Sequence, residues 1–338
     1  MPVKKVNRKR NPRWPFPVLT ILLAGLILWS CSGPSPDRGR LAVTASIFPL
    51  ADVVKAIGGQ AVEVDVLIPP GASPHVFEPP PEVYRRFSKA RLFVMVGAGL
   101  EFWAEKLIEA NAGKDLRVLR AADGVELIET ADHDHHRTAH GGTASADDSA
   151  GGQALSGQET SIHQQVHHAG NPHVWLDPLL VEDLAGRICR ALSELDPEHS
   201  EEYSRNLSRF RKHLAELHQE IESTTARFSV REFVAFHPSW SYFARRYGLR
   251  EVGIIQRSPG RNPTPRQIEE IVAAVRRYRI RAVFAEPQFN RTAARAIAEE
   301  AGVEVLILDP LGGPARPGRD SYLALMRHNL SIMQEAMQ

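Results

Sequence analysis

The sequence predicts an α/β fold of two lobes, each a parallel sheet flanked by helices, joined by one long backbone helix. Three observations predict it. Short β-branched runs alternate with helical repeats in both halves of the chain. The 338 residues exceed the usual size of one core, so two domains are expected. Between the halves lies an amphipathic stretch of about 28 residues, long enough to act as a rigid strut.

The elements follow in order. LAVTASI (41–47) reads as a strand, PLADVVKAIGG as a helix with a glycine stop, and VEVDVLIP (62–69) as an alternating strand. After a proline-rich loop come a helix at PEVYRRFSKA and a buried strand at RLFVMVG (91–97). VGAGLE carries a GxG after that strand, but the third glycine of a nucleotide loop is missing, so a tight strand-to-helix turn is expected. LEFWAEKLIEANAG gives a helix and DLRVLRA a strand. Beyond residue 170, Leu180, Leu184, Ile188, Ala191 and Leu195 line one helical face, with Cys189 expected as a small buried apolar residue. Asp196 and Pro197 read as the start of the next helix. There Tyr203, Leu207, Phe210, Leu214, Leu217 and Ile221 repeat at spacings of four and three. Alternation then restarts: REFVAF (231–236), a helix in HPSWSYFARRYG, REVGII, a helix opened by the capping box of Thr264, Pro265 and Gln267, RAVFAEP, NRTAARAIAEEAG, VEVLILDP and a terminal helix from about Arg319. Both lobes are therefore expected to be Rossmann-like. The boundaries are 31–198 for the N-terminal lobe, 199–229 for the linking helix and 230–338 for the C-terminal lobe.

Residues 1–30 read as a secretory leader: six basic residues and no acid precede Trp14, and the apolar run from Phe16 to Trp29 falls short of the ~20 residues of a membrane span. LWSC has the form of a bacterial lipobox, which makes Cys31 the expected lipidated first residue and anchors the chain outside the cytoplasm. Without residues 1–30 the formal net charge of +1 becomes −5, which argues against nucleic acid as a partner. Two cysteines provide no disulfide framework and no cysteine-rich metal motif.

Residues 131–170 hold seven of the fourteen histidines, no aromatic residue and many small polar ones, so they read as a disordered loop inserted in the first lobe. Its histidines, His133, His135, His136, His140, His163, His167 and His168, are candidates for auxiliary, exchangeable metal capture.

In parallel sheets, ligands bind beyond the carboxyl ends of the strands. His75 lies in the loop after strand 62–69, His237 directly follows FVAF, Glu286 follows RAVFA, Asp309 follows VEVLIL, and His173 follows the histidine-bearing loop. Brought together, they would lie in the cleft between the lobes. Imidazole nitrogen and carboxylate oxygen suit a cation such as zinc, and three histidines with Asp309 make four ligands. Pro74, Pro172, Pro238 and Pro310 stiffen the backbone beside each. Separations of 64 to 98 residues leave a hydrogen-bonded structural role open for each histidine. Glu286 is expected to hydrogen-bond a ligand from behind or to serve structurally, and Asp177 to cap a helix or bond a ligand histidine.

The stretches PPGASPHVFEPPPEVY, VGAGLEFWAEKL, NPHVWLDP, HPSWSYFARRYGL, AEPQFN and LILDPLGG span most of residues 41–335. On them the chain resembles the zinc- and manganese-binding solute-binding lipoproteins of bacterial metal ABC importers. The resemblance implies two α/β lobes joined by a long helix, with the metal on His75, His173, His237 and Asp309. It also implies the zinc branch, because His237 stands where the manganese branch carries glutamate. The expected function is a monomeric, lipid-anchored extracytoplasmic receptor that delivers Zn2+ to a membrane permease and performs no chemistry. Manganese or iron as the cargo, and a zinc-dependent hydrolase with an open coordination position, are the alternative readings. Binding to protonatable histidines is expected to weaken in acid.

Overall fold

The first sheet is laid down by β1 (Leu41–Ala45), β2 (Val62–Val66), β3 (Leu92–Met95) and β4 (Arg117–Arg120), all parallel, in the order β2-β1-β3-β4. The second repeats that order with β5 (Glu232–Ala235), β6 (Arg250–Ile254), β7 (Ala282–Ala285) and β8 (Glu304–Ile307) as β6-β5-β7-β8, again parallel. The computed structural model describes residues 1–3, 39–111, 115–129, 170–257 and 260–338, and residues 41–338 form one compact unit. Residues 4–38, which hold most of the expected leader and Cys31, and the seven histidines between 133 and 168 lie outside the described residues.

Helices α1 (Phe48–Gly58), α2 (Pro81–Phe87) and α3 (Ala104–Glu109) connect the first four strands. The GxG turn before α3 is the expected tight one. Gly97, Ala98 and Gly99 all have positive φ, and the buried Glu101 carboxylate accepts from Val96 N and Gly97 N at 2.8 and 2.9 Å. A carboxylate satisfying two successive amides fixes the turn and leaves no cradle for a phosphate.

Helix α4 (Pro178–Leu195) buries Leu184, Ile188, Cys189 and Ala191, and Cys189 is a free thiol. The strut, α5 (Ser200–Thr225), has 26 residues and buries Tyr203, Phe210, Leu214, Leu217 and Ile221. Its start differs from expectation. Pro197–His199 form a separate 3-10 turn because the Asp196 carboxylate is taken by His199 Nδ1 and Tyr203 Oη, not by helix-end amides.

The second lobe adds α6 (Ser241–Tyr247), α7 (Pro265–Tyr278) and α8 (Thr292–Ala301). At α7 the Thr264–Gln267 capping box is complete. The terminal helix α9 (Tyr322–Met337) returns to pack on α5 and α1, and Tyr322 N donates to Asp52 of α1 at 2.7 Å. No helix among the described residues is long and apolar enough to cross a membrane.

Candidate metal centre

The two sheets are tied together where their strand ends meet. Trp175 Nε1 donates to Pro310 O (2.8 Å), Tyr322 Oη to Trp175 O (3.0 Å) and Tyr242 Oη to Asn171 O (2.8 Å). His75 enters from the 3-10 turn Pro74–Val76 after β2. His173 precedes the turn Val174–Leu176. His237 leaves β5 and Glu286 leaves β7, the two adjacent strands at which the order of the second sheet reverses, where α/β sheets place ligands.

Here three side chains converge. The Nε2 atoms of His75 and His173 lie 3.2 Å apart, and those of His173 and His237 lie 3.0 Å apart. Among the described residues, the ligand atoms of these three histidines form the one group of metal-ligating type that falls within 4.8 Å. The tautomers follow from the neighbours. Asn171 Oδ1 accepts from His173 backbone N at 3.0 Å, which fixes that atom as the amide oxygen. The 2.8 Å contact from His173 Nδ1 to the same oxygen therefore carries a proton on Nδ1 and leaves a lone pair on Nε2. Likewise His237 Nδ1 donates to Glu286 Oε1 at 2.6 Å, so its Nε2 is also bare. Lone pairs facing one another at such distances repel unless a cation lies between them. Ligands at the zinc–imidazole distance of about 2.0–2.1 Å, set tetrahedrally, stand about 3.3 Å from each other, close to the spacing found.

Electrostatics agree. Burial, and then the charge of His237, pushes His75 down to about 3. Burial, followed by the charges of His237 and His75, holds His173 well below the usual histidine range. Both imidazoles are thus kept neutral, the form that binds metal. The pocket is lined by the three histidines, Trp175, Glu286 and Gln288 among others and leaves about 10 Å³, room for a single water-sized sphere. Glu286 Oε2 and Gln288 Oε1 are buried there without a hydrogen-bond partner among the described residues. Orphaned buried oxygens are costly and fit a site made for a cation.

The remaining candidates are placed as follows. Asp309 is 1% exposed, but its carboxylate is not within the histidine group. Its Oδ1 accepts from Gln288 Nε2, Leu311 N and Gly312 N, and its Oδ2 from Arg319 at 3.0 Å. Asp177 caps α4 through Leu179 N and pairs with Arg246 at 2.8 Å, so its bonds go to the helix and to α6. Glu286 backs His237 and also accepts from Ser239 Oγ at 3.1 Å. Sequence reasoning missed Asn171, although it lies in NPHVWLDP. An Asn two residues before a ligand is the signal, since its amide oxygen reaches the backbone N–H two residues on. Asn171 Nδ2 donates onward to Pro238 O (2.5 Å) and Ser241 Oγ (3.2 Å). Ser241 Oγ in turn meets Glu251, a carboxyl that burial pushes up to about 7.

Residues 43–336 match the profile of the family described as ZnuA, zinc-uptake complex component A, periplasmic. The chain belongs to this family. The ZnuA-family relatives include the zinc-binding lipoprotein AdcA of Streptococcus pneumoniae R6, 25% identical over 94% of this chain and 60% of that protein. The chain thus spans about three-fifths of that relative's length. The high-affinity zinc uptake system protein ZnuA of Bacillus subtilis 168 is 24% identical over 94% of this chain and 97% of that protein. Among solved structures, a ZnuA deletion mutant with zinc bound is 29% identical with a TM-score of 0.72, covering 89% of this chain and 99% of that one. The two-lobed fold expected from the sequence is thus the family's fold.

Proposed function

We propose that this chain is an extracytoplasmic receptor that binds one Zn2+ on the Nε2 atoms of His75, His173 and His237 and passes it to the permease of an ABC importer. The observation that carries this reading is the convergence of three imidazole nitrogens whose tautomers leave lone pairs facing a space for one ion. The names of the zinc-binding relatives support zinc as the cargo, and the preference of imidazole for zinc over manganese supports it chemically. Glu286 and Asn171 hold the rings from behind, as acceptors commonly do at metal sites. Asp309 stands beside the pocket, within reach of Gln288. Lipidation at Cys31 supplies the anchor in this reading, the bound ion is cargo, and no turnover is assigned to it. The manganese reading shares the fold and is separated by competition. In a chelator competition, the wild-type chain takes up one equivalent of zinc that manganese does not displace, and His173→Ala loses it. Unchanged zinc affinity in His173→Ala, or displacement by equimolar manganese, refutes the proposal.

A further inference from the structure

We infer that Glu251 is a positioning residue for His173, acting across the lobes through Ser241 and Asn171, so that its ionisation sets how fast the bound ion leaves. This rests on the reading of the three histidines as a divalent-metal site.

The connection is a chain of hydrogen bonds with a direction. His173 Nδ1 donates to Asn171 Oδ1 at 2.8 Å. The same Asn171 side chain reaches the second lobe with its Nδ2, donating to Pro238 O at 2.5 Å and to Ser241 Oγ at 3.2 Å. Ser241, the first residue of α6, meets Oε2 of Glu251 on the edge strand β6 at 2.5 Å. Beside Glu251 the pairing of β5 with β6 shifts: Phe233 faces Glu251 and Val234 faces Gly253, which leaves Val252 as an extra residue. A bulge of this kind re-aims the side chains next to it.

Ser241 is where the ionisation is read. Its hydroxyl has one proton and two acceptors within reach, Glu251 Oε2 at 2.5 Å and Pro238 O at 3.2 Å. A charged Glu251 takes that proton, because a carboxylate accepts more strongly than a neutral carbonyl. Pro238 O is then left to Asn171 Nδ2, and the amide is held with its oxygen facing His173. A protonated Glu251 donates to Ser241 Oγ instead. The hydroxyl turns its own proton to Pro238 O, where it competes with Asn171, and the grip on the ring of His173 loosens.

The surroundings let this carboxyl change state near neutral pH. Burial pushes it up to about 7, while the hydrogen bond from Ser241 and the charge of His237 pull it down and the charge of Glu286 raises it. Other charges on the flanking elements have partners of their own. Glu232 of β5 pairs with Arg250, Arg246 of α6 pairs with Asp177, and Arg245 lies over the Tyr242 ring. Helix α7 buries Ile271, Val272 and Val275, and its Arg266 and Glu270 pair with each other.

The experiment follows zinc release into excess chelator by stopped flow between pH 6 and pH 8. It uses the zinc-loaded full chain in wild type, Glu251→Gln, Ser241→Ala and the double variant Glu251→Gln/Ser241→Ala. Wild type should release zinc about three- to tenfold faster at pH 6 than at pH 8, along the titration of one group. That is less than the roughly ten- to hundredfold change expected when a direct partner of a metal ligand is removed. Glu251→Gln and Ser241→Ala should each flatten the profile near its fast limit, and the double variant should match either one, because both cut the same chain. Ser241 is half-buried at a helix start, so its variant serves if Glu251→Gln folds poorly. A role in packing alone would shift melting temperatures and leave the slope in place. A flat profile in wild type, a slope that survives in Glu251→Gln or Ser241→Ala, or additive effects in the double variant overturns the inference. If the wild-type chain takes up no zinc at all, it is the underlying reading of the site that fails.

Discussion

Replacing Glu286 by Gln tests how the charge behind His237 contributes to metal binding. The side chain is 1% exposed, and its Oε1 accepts from His237 Nδ1 at 2.6 Å. Glu286→Gln keeps the shape and an amide oxygen that can accept the same proton, so ring orientation and tautomer survive. What is lost is the charge. A hydrogen bond to a charged partner contributes about 1.5–3 kcal/mol and a neutral one about 0.5–1.5, so roughly 1–1.5 kcal/mol of support for the metal-bound imidazole disappears. That corresponds to about tenfold in Kd. Glu286→Ala removes the acceptor as well and frees the tautomer, so its loss should exceed a hundredfold, beyond the upper end of the usual range for such partners. The assay is zinc competition against a chelator of known affinity, alongside the melting temperature of the metal-free protein. The metal-free Glu286→Gln protein should melt no lower than wild type, because Oε2 has no partner to lose among the described residues. Zinc affinity within twofold of wild type in Glu286→Gln, or equal losses in both variants, would refute the reasoning.

Other perturbations follow from the same geometry. Asn171→Leu removes the acceptor of His173 Nδ1 and the bond to Pro238 O, and should weaken zinc about tenfold or more while raising its dissociation rate; unchanged kinetics in stopped flow would count against the assigned tautomer. The pH dependence should be shallow. His75 is lowered to about 3 and His173 also lowered, so neither gains a proton as pH falls from 7 to 5.5. Zinc binding at pH 5.5 should therefore release at most about one proton, where three free imidazoles of pKa near 6.5 would release nearly three. Calorimetry in buffers of different ionisation enthalpy gives the count, and a value near three would contradict the buried, neutral site. Deleting residues 133–168 should leave one tightly bound zinc and slow loading when zinc is scarce; loss of tight binding would transfer the principal site to that segment.

The fold was legible because both halves use the same code: β-branched runs ended by Gly or Pro and followed by helical repeats. Each of the eight strands lies where such a run predicts it. The histidine trio was legible for a related reason. In parallel sheets the residues just past a strand face the ligand crevice, and His237 lies two residues past the end of β5. What lay beyond the sequence were the partners of those residues. The carboxylate of Asp309 looks the same in sequence whatever it meets, and only the folded chain brings the guanidinium of Arg319 to it. The start of α5 was misread because Asp196 spends its carboxylate on Tyr203 and His199. The burial that lowers His75 and His173 was also hidden, since spacing does not report it.

The most direct test of the central claim is anomalous diffraction at the zinc edge from crystals of the zinc-loaded chain. The account predicts one strong peak about 2.0–2.1 Å from the Nε2 atoms of His75, His173 and His237. A peak that misses any of the three, or zinc bound only elsewhere on the chain, would contradict it.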